Sequence, residues 1–505
     1  MQHDEMLLTF CKSLMKPAQW QHMVLLYCTE MGVDVEIAGD HPRLLSVHPQ
    51  TWHFSPPQGT LWMVQHEMRN EHMVTPAFDV IVVGGGPAGL MASIAAQTSG
   101  ASTLLIEKGN KLGRKLGISG GGRCNVTNAK PLPELIQNIP GNGRFLHSAL
   151  HRFSNEDVWA FFEGLGIRLK EEDRGRVFPV TDKAATVVQA LVNKVYDVGV
   201  EIWENCPVTG LVTDNGRIAG VSTHRHALVA AKAVVIATGG CSVPKTGSTG
   251  DAYPWARAVG HTIVPPYPTE VPLTSDEWFI RKRALQGLSV RNTTVTLLDD
   301  RKKKLTVEHG DLLFTHFGLS GPVALRCSHY VSTTHRKRPG IRLLAQVDGH
   351  PERSLQELVD ELFHRKSAQP KRHLSNVLSD LLPERLAHVV LETLGIARDI
   401  PMTDIQNVKL EEVAKQTKRF PVAITGTLPL AQATVTGGGV SVKEIDPRTM
   451  ASKVCKGLFF CGEVMDVHAH TGGYNITVAF STGHLAGASA AEYAAVSSVE
   501  PVEQP

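Results

Sequence analysis

The chain has 505 residues, of which 42% are hydrophobic and 20% charged, and its formal net charge is +2. This composition is ordinary for a globular protein. At roughly 100–200 residues per domain, the length predicts two or three domains. Because the charge is near neutral, the whole-chain balance demands neither nucleic acid nor a membrane surface as a partner.

The eight cysteines are scattered, without a CxxC pair or a regular spacing. Such a distribution predicts neither a disulfide framework nor a zinc site, and it is typical of a reducing compartment. No apolar run approaches the ~20 residues that a membrane helix needs. The amino terminus also lacks the basic-then-apolar pattern of a signal peptide. The sequence therefore predicts a cytoplasmic protein with no membrane association and no metal site.

Residues 1–76 differ from the rest of the chain, since they are rich in Met, His, Trp and Gln and carry no motif. One interpretation is a small accessory domain or a disordered tail. The other is that translation normally starts near Met73, just before the first strong strand signal. We treat this segment as an amino-terminal extension, either disordered or non-native, and predict that residues 1–72 are dispensable.

The first strong signals form one βαβ unit. Phe78–Val83 is a short apolar run typical of a buried parallel strand. After a glycine-rich break, Leu90–Ser99 is predicted as a helix, and Thr103–Ile106 is predicted as the second strand. This arrangement is the setting in which a glycine motif binds a dinucleotide.

The glycine motif is Gly84-x-Gly86-x-x-Gly89. In this pattern the first glycine permits a tight turn, the second admits the pyrophosphate, and the third allows the helix to pack on the sheet. Glu107 ends the second strand, where a carboxylate can accept hydrogen bonds from ribose hydroxyls. The residues expected to contact the dinucleotide here are Gly84, Gly86, Pro87, Ala88, Gly89, Glu107 and Lys108.

A glycine-dense, basic segment, 113–125, follows and favours FAD over NAD. A typical NAD-dependent dehydrogenase would continue here into alternating strands and helices. A loop of this kind can instead wrap an extended cofactor with backbone amides and cations. The alternative is a flexible surface loop. The expected cofactor contacts are Arg114, Lys115, Ser119, Gly121, Gly122, Arg123 and Asn125.

A third segment, 457–475, combines a strand, a polar loop and the start of a small-residue helix. In FAD proteins such a segment supplies a carboxylate to the cofactor and aims a helix amino terminus at the flavin, where its dipole stabilises the reduced anion. The expected contacts are Gly462, Glu463, Asp466, Gly472, Gly473, Asn475 and Ile476, together with Val208, Thr238 and Gly239 from the later strands.

The residue composition of the sequence changes near Pro265, and glycines become frequent again near Thr425. We therefore predict an α/β protein in which a Rossmann-like FAD-binding domain is split by an insertion. Its parts are residues 77–265 and 426–495, and the inserted substrate domain is residues 266–425. Strands are expected at Thr293–Leu298 and Ile341–Val347, and a helical stretch at Leu355–Leu394.

Three strings carry a family resemblance: GRKLGISGGGRCNVTN, LFTHFGLSGPVAL and GEVMDVHAHTGGYN. Over 78–487 the chain resembles the BaiN/RdsA-type NAD(P)/FAD-dependent oxidoreductases of bacteria. The resemblance implies a three-layer, glutathione-reductase-like FAD domain with an inserted β-barrel-like and helical domain. It also implies reduction of conjugated C=C bonds, in bile-acid intermediates in one branch and in large-subunit ribosomal RNA, giving dihydrouridine, in another. The chain departs from the family at His468-Ala469-His470, where many relatives carry Asp-Gly-Pro-like residues.

The shared chemistry would pass a hydride from NAD(P)H to FAD and on to one carbon of a polarised double bond, with a proton to the other carbon. No second glycine motif stands between a strand and a helix, since Gly437–Gly439 opens no helix. We therefore expect the nicotinamide to dock transiently.

The candidate proton donors are Cys124 and His316. Arg123 could tune the pKa of Cys124, whereas the alternative for Cys124 is a buried packing residue. His316 is a natural general acid, although a lone histidine is often structural. His468 and His470 are weaker candidates, and no Cys or carboxylate cluster supports a metal between them.

Basic clusters in the inserted segment favour ribosomal RNA as the substrate, because phosphates require cationic contacts. The alternatives are a solvated surface with a small enone substrate, or a non-catalytic, redox-sensing flavoprotein. The exact substrate, NADH versus NADPH, and the oligomeric state are not predicted. The clusters are Arg281–Arg283, Arg301–Lys304, Arg336–Arg338, Arg365–Lys366 and Lys371–Arg372.

Overall fold

The computed structural model describes residues 77–497 and two strands nearer the amino terminus. The chain divides into a unit before residue 75 and a larger unit after it. In the smaller unit, β1 (Val33–Ala38) pairs antiparallel with β2 (His41–Val47). The rest of the predicted extension, 1–76, lies outside the described residues, so its dispensability stays a prediction.

The larger unit is built on a mainly parallel sheet, whose apolar strands are buried, as is typical of parallel sheets that are covered on both faces. The parallel strands are β3 (Phe78–Val83), β4 (Thr103–Ile106), β8 (Glu201–Trp203), β11 (Val229–Ile236) and β21 (Leu458–Phe460). Across the sheet their order is β8-β4-β3-β11-β21. Two antiparallel strands, β9 (Val208–Asp214) and β10 (Arg217–Thr223), extend the sheet beside β11.

A smaller antiparallel sheet and a set of helices complete this part of the fold. The small sheet has the order β5-β7-β6, formed by β5 (Thr127–Asn128), β6 (Leu169–Glu172) and β7 (Arg176–Pro179). The helices are α1 (Pro87–Thr98), α2 (Arg114–Ile118), α3 (Leu132–Gln137), α4 (His147–Arg152), α5 (Asn155–Gly164), α6 (Ala184–Asp197), α7 (Ala252–Ala258) and, far along the chain, α14 (Tyr474–Val496).

The long helix α14 packs closely on α1 because glycines remove the side chains between them. A Cβ atom on Gly483 would lie 2.3 Å from the carbonyl oxygen of Ala88, and one on Gly487 would lie 2.1 Å from that of Ala92. Neither contact tolerates a larger residue without displacement of the backbone. The small-residue composition of α14 therefore allows the close approach and register of the two helices.

The segment between the two parts of the parallel sheet forms a second, antiparallel sheet with its own apolar core. Its order is β18-β17-β14-β15-β16-β13-β19. Only Thr425 separates β18 from β19, the two ends of this order, so the sheet curls back on itself. The strands are β13 (Leu273–Thr274), β14 (Ser289–Leu298), β15 (Lys304–Phe314), β16 (Gly318–Ser320), β17 (Leu343–Asp348), β18 (Phe420–Ile424) and β19 (Gly426–Thr427).

Helices of the same segment cover this curled sheet. The predicted helical stretch 355–394 is three helices, since Pro370 and Pro383 lie in the breaks between them. Ser354 and Glu357 form a capping box at the first of these. The helices are α8 (Trp278–Arg281), α9 (Pro322–Lys337), α10 (Leu355–Ala368), α11 (Leu374–Ser379), α12 (Glu384–Thr393) and α13 (Asn407–Lys418).

The chain enters and leaves the curled sheet through a two-stranded crossing, β12 (Ile263–Thr269) with β20 (Val435–Val440). Pro265, near which the sequence predicts the start of the inserted domain, lies in β12. Gly438 has φ +83°, and a Cβ there would lie 2.6 Å from the carbonyl oxygen of Pro265. The glycines in β20 therefore allow β12 and β20 to approach each other closely.

The parallel and curled sheets have separate apolar cores, and we propose the boundaries 77–265, 266–425 and 426–495 on that basis. Within the part of the chain that the structure describes, no helix is long and apolar enough to cross a bilayer.

Candidate active site

A cavity of about 1090 Å³ opens at the carboxyl ends of β3, β4 and β11. This edge of an open parallel sheet is where ligands bind. His309 of β15 and Arg326 of α9 contribute to the opposite wall, so both sheets line the cavity. Its volume lies at the upper end of the ~300–1,000 Å³ typical of small-ligand pockets. The space suits an extended dinucleotide.

The glycine motif turns the chain from β3 into α1 at one end of the cavity. Gly84 has φ +108°, and a Cβ on Gly89 would lie 1.8 Å from the carbonyl oxygen of Gly84. A Cβ on Gly86 would meet open space, so the backbone faces the cavity there. No side chain caps the amino terminus of α1. Its free N–H groups and partial positive charge are therefore available to a pyrophosphate.

The Glu107 carboxylate organises the loops around the ribose position. One of its oxygens accepts a hydrogen bond from the N–H of Gly85 and the other accepts from the N–H of Gly109, both at 2.8 Å. Next to it, Lys108 forms an ion pair with Asp251. Carboxylate, lysine and glycine backbone thus line the same end of the cavity.

The basic segment 113–125 runs along the cavity, and after helix α2 its glycines adopt a left-handed backbone conformation. Gly120, Gly121 and Gly122 have φ of +56°, +68° and +86°, which explains three consecutive glycines. Gly121 faces open space. Lys115 donates from Nζ to Glu463 at 2.7 Å and to the Ser242 hydroxyl at 2.8 Å. This lysine therefore ties the loop to the carboxyl-terminal segment.

The far end of the cavity is lined by residues that sequence reasoning missed. They come from the small sheet, the curled sheet and the amino terminus of α14. Their side chains are mostly polar or charged, and apart from Tyr474, which lies in the segment 457–475, none of them belongs to a motif or basic cluster that the sequence analysis singled out. They are Lys130, Asp173, Arg174, Arg176, Phe178, Glu308, His309, Asp311, Arg326 and Tyr474.

Most of the predicted cofactor residues reach the cavity wall, and three do not. Gly89 packs inside the strand–helix turn, and Gly122 turns away from the cavity. Asp466 lies near Tyr267 and accepts a hydrogen bond from Asn142, and burial raises its pKa. The predicted residues at the wall are Gly84, Gly86, Pro87, Ala88, Glu107, Lys108, Arg114, Lys115, Ser119, Gly121, Arg123, Asn125, Val208, Thr238, Gly239, Gly462, Glu463, Gly472, Gly473, Asn475 and Ile476.

The two predicted proton donors do not line the cavity. Cys124 is fully buried, and burial raises the pKa of its thiol to about 12. Arg123 does not tune it, since its guanidinium pairs with Glu172 and Asp182. His316 is exposed on the β15–β16 turn. The donor assignment therefore needs revision toward the residues of the wall.

His468 and His470 lie behind the cavity in a buried cluster. Nε2 of His468 is 2.8 Å from Nδ1 of His329, and Nδ1 of His470 is 3.0 Å from a carboxylate oxygen of Glu270. Burial lowers the pKa of His329 to about 4 and that of His468 well below its usual value. The other Glu270 oxygen accepts from the N–H of Thr471 at 2.7 Å. The cluster therefore holds the loop that precedes α14.

The residues of the cavity fit FAD. The Thr238 hydroxyl is buried in the wall and has no hydrogen-bond partner among the described residues, so it can serve a bound polar group. The openings at Gly86 and Gly121 admit an approaching pyrophosphate or ring edge. Arg114 lines the cavity and forms no ion pair with a described residue, so its guanidinium group can serve the phosphates, whereas Lys108 and Lys115 are paired with carboxylates.

Comparisons with known proteins agree with this geometry. The model of the HI0933-like protein Rossmann domain matches residues 78–489. Over 406 residues the chain is 31% identical to the ribosomal RNA dihydrouridine synthase of Haemophilus influenzae, covering 80% of this chain and 96% of the relative. The protein of the same name from Escherichia coli K12 is 33% identical over 411 residues, which cover 80% of this chain and 96% of that relative. The 3-dehydro-bile acid delta(4,6)-reductase of Clostridium scindens is 28% identical over 417 residues, which cover 81% of this chain and 98% of that relative.

The fold and the cavity define a flavin-dependent oxidoreductase with a Rossmann-type FAD-binding domain. The chain belongs to the HI0933-like Rossmann-domain family, that of the BaiN/RdsA-type flavoproteins. The family and the fold class predicted from the sequence are thereby confirmed.

Proposed function

We propose that the chain uses NAD(P)H to reduce the C5=C6 bond of a uridine in large-subunit ribosomal RNA, giving dihydrouridine. The observation that carries this proposal is the polar, charged far wall of the cavity, where Arg174 has no salt-bridge partner among the described residues and Arg176 and Arg326 are paired with carboxylates. A steroid-like enone would favour a predominantly apolar pocket. Two relatives that share the chain's full family region are named for the same reaction.

The distribution of unpaired cations supports an RNA partner. Several predicted basic clusters are neutralised within the fold, since Arg338 pairs with Asp299 and Arg365 with Glu361. Residues 301–304 are exposed at the tip of the β14–β15 hairpin, and their side chains form no ion pair with described residues. The tip is about 20 Å from His309 along β15, at ~3.3 Å per residue. One hairpin can thus contact RNA phosphates outside the cavity while a nucleotide enters it.

The reaction requires one hydride and one proton across the double bond. FAD, when bound, carries the hydride between NAD(P)H and the substrate. His309 is the proton donor that the wall supports best, because its Nδ1 lies 2.7 Å from the Thr294 hydroxyl, which leaves Nε2 available to the substrate. Tyr474 also lines the cavity, and burial raises its pKa to about 12, so its phenol stays protonated.

We place NAD(P)H as a transient occupant of the same cavity. Gly437–Gly439 lie inside β20 and precede no helix, unlike the motif at Gly84–Gly89. The nicotinamide therefore needs to leave before the uracil enters, and the two half-reactions can be measured separately.

Mass spectrometry of ribosomal RNA tests the proposal. A strain that lacks the gene should lose one dihydrouridine of the large subunit, and the wild-type gene should restore it. A variant with glutamates in place of Arg301, Lys302, Lys303 and Lys304 should bind RNA more weakly, most clearly at low salt, because fewer counterions are released. A deletion strain that keeps every dihydrouridine would contradict the proposal.

A further inference from the structure

Two guanidinium groups converge at the far end of the cavity from different parts of the fold. Arg174 lies in the turn between β6 and β7, and Arg326 lies on α9. A Cβ atom built on Gly310 would lie 3.1 Å from Nη1 of Arg174 and 3.2 Å from Nη2 of Arg326. Both cationic head groups therefore reach one point beside β15.

Arg174 has no salt-bridge partner there among the described residues, although its charge contributes to lowering the pKa of the neighbouring Asp173. Its side chain is exposed to the cavity and forms no hydrogen bond or ion pair with any residue that the structure describes. Each of the nearby carboxylates is bonded to another group, and none forms a salt bridge with Arg174. The pairs are Asp173 with Arg176, Glu308 with Arg326, and Asp311 with the N–H of Asn292.

The backbone holds Arg174 in this position. Its φ of 62° and ψ of 24° lie in the left-handed region, which is uncommon outside glycine and often marks a functional site. The Asn128 amide donates to the carbonyl oxygen of Arg174 at 3.2 Å and to that of Gly472 at 2.8 Å. The turn is therefore fastened to the glycine loop before α14, at the end of the cavity opposite the Gly84–Gly89 motif.

Arg326 is paired with Glu308, whereas Arg174 has no salt-bridge partner in the described part of the chain, so an anion that pairs with Arg174 also meets the second guanidinium group at this point. The planar guanidinium fork matches a phosphate group, to which it can donate two parallel hydrogen bonds. We propose that Arg174 and Arg326 form a phosphate subsite for a reactant that enters at the far end of the cavity. Under the proposed function this phosphate belongs either to the RNA backbone or to the pyridine nucleotide.

The first test uses inorganic phosphate as the probe. It is titrated at constant ionic strength into the FAD-loaded holoenzyme, and the visible flavin absorption is followed. Arg174→Asn should raise the dissociation constant about 10- to 100-fold, since a hydrogen bond to a charged group is worth ~1.5–3 kcal/mol. Asparagine tolerates the left-handed backbone, so the turn is kept. Arg174→Lys should retain part of the affinity, because it keeps the charge and loses the fork.

Arg168→Ala is the matched control. It removes the same charge from an exposed arginine of the nucleotide-binding part that does not line the cavity. Its phosphate affinity should equal that of the wild type. Equal phosphate binding by Arg174→Asn and the wild type would overturn the subsite.

Two further arms identify the source of the phosphate. If it comes from RNA, Arg174→Asn should weaken binding of a labelled oligouridine and leave flavin reduction by NADPH and NADH unchanged. If it is the extra phosphate of NADPH, only the NADPH reaction should slow. Loss of phosphate binding without a change in either arm would overturn its assignment to a reactant. If RNA is not the substrate, the phosphate titration and the NADPH measurement still test the subsite. A failure of the proposed function can therefore be distinguished from a failure of the subsite.

Discussion

At the scale of single residues, the cofactor end of the cavity could be predicted and the substrate end could not. Gly84, Gly86 and Glu107 can be recognised in the sequence because a motif fixes their spacing to a strand and a helix. His309 and Arg174 belong to no motif, and distant segments bring them together only through the fold. For Cys124 the sequence left a proton donor and a buried packing residue open, and its side chain lies in the core.

His309→Gln tests the revised donor. The variant should leave flavin reduction by NAD(P)H intact and slow flavin reoxidation by RNA by about 10²-fold or more, the usual value of a positioned general acid. Stopped-flow absorbance separates the two steps. If His316→Gln instead slowed only flavin reoxidation, the donor would be His316, as the sequence suggested. The same selective slowing in Tyr474→Phe would assign the proton to the phenol.

At the scale of elements, the parallel strands were the most predictable part, because continuous apolar runs bounded by glycine have few alternatives. Phe78–Val83 and Thr103–Ile106 lie where the sequence placed them. The helical stretch 355–394 was predicted without its breaks, and β12 was obscured by its prolines, which suit a two-stranded crossing. Periodicity reports burial, and it does not report which neighbour an element meets.

The packing of α14 on α1 gives a prediction for an element. Gly487→Ala should destabilise the holoprotein by roughly 1–3 kcal/mol, because the new methyl group overlaps the carbonyl of Ala92. It should also weaken FAD binding, since the two helix amino termini shift together. Gly164→Ala, at a helical glycine with open space around it, should be neutral or slightly stabilising. Equal melting temperatures and FAD affinities for the two variants would contradict the packing argument.

At the scale of the whole molecule, the buried histidines make stability depend on pH. Burial holds the pKa of His329 at about 4 and that of His468 well below its usual value, whereas both titrate near 6.5 in the unfolded chain. Between about pH 4 and 6.5 the unfolded state therefore binds more protons than the native state. The free energy of unfolding falls as the pH drops through this window and is unaffected by these groups above it.

Thermal melting between pH 4.5 and 7.5 checks this expectation. The melting temperature of the wild type should fall toward low pH, and the double variant His329→Asn with His468→Asn should show a shallower slope. His335→Asn serves as the comparison, because His335 lies on the same helix and bonds only to the Ile341 carbonyl oxygen. Identical slopes for the wild type and the double variant would show that the buried pair does not control the pH dependence.

The split of the parallel sheet by the curled one has a consequence for synthesis on the ribosome. β21 and α14 follow β11 only after residues 237–457, an interval of roughly 10–45 s at ~5–20 residues per second. During that time the nascent nucleotide-binding half exposes the β11 edge and the face of α1 that α14 later covers. Cofactor capture is therefore a late event, and the inserted domain is free to fold first, while its host remains unfinished.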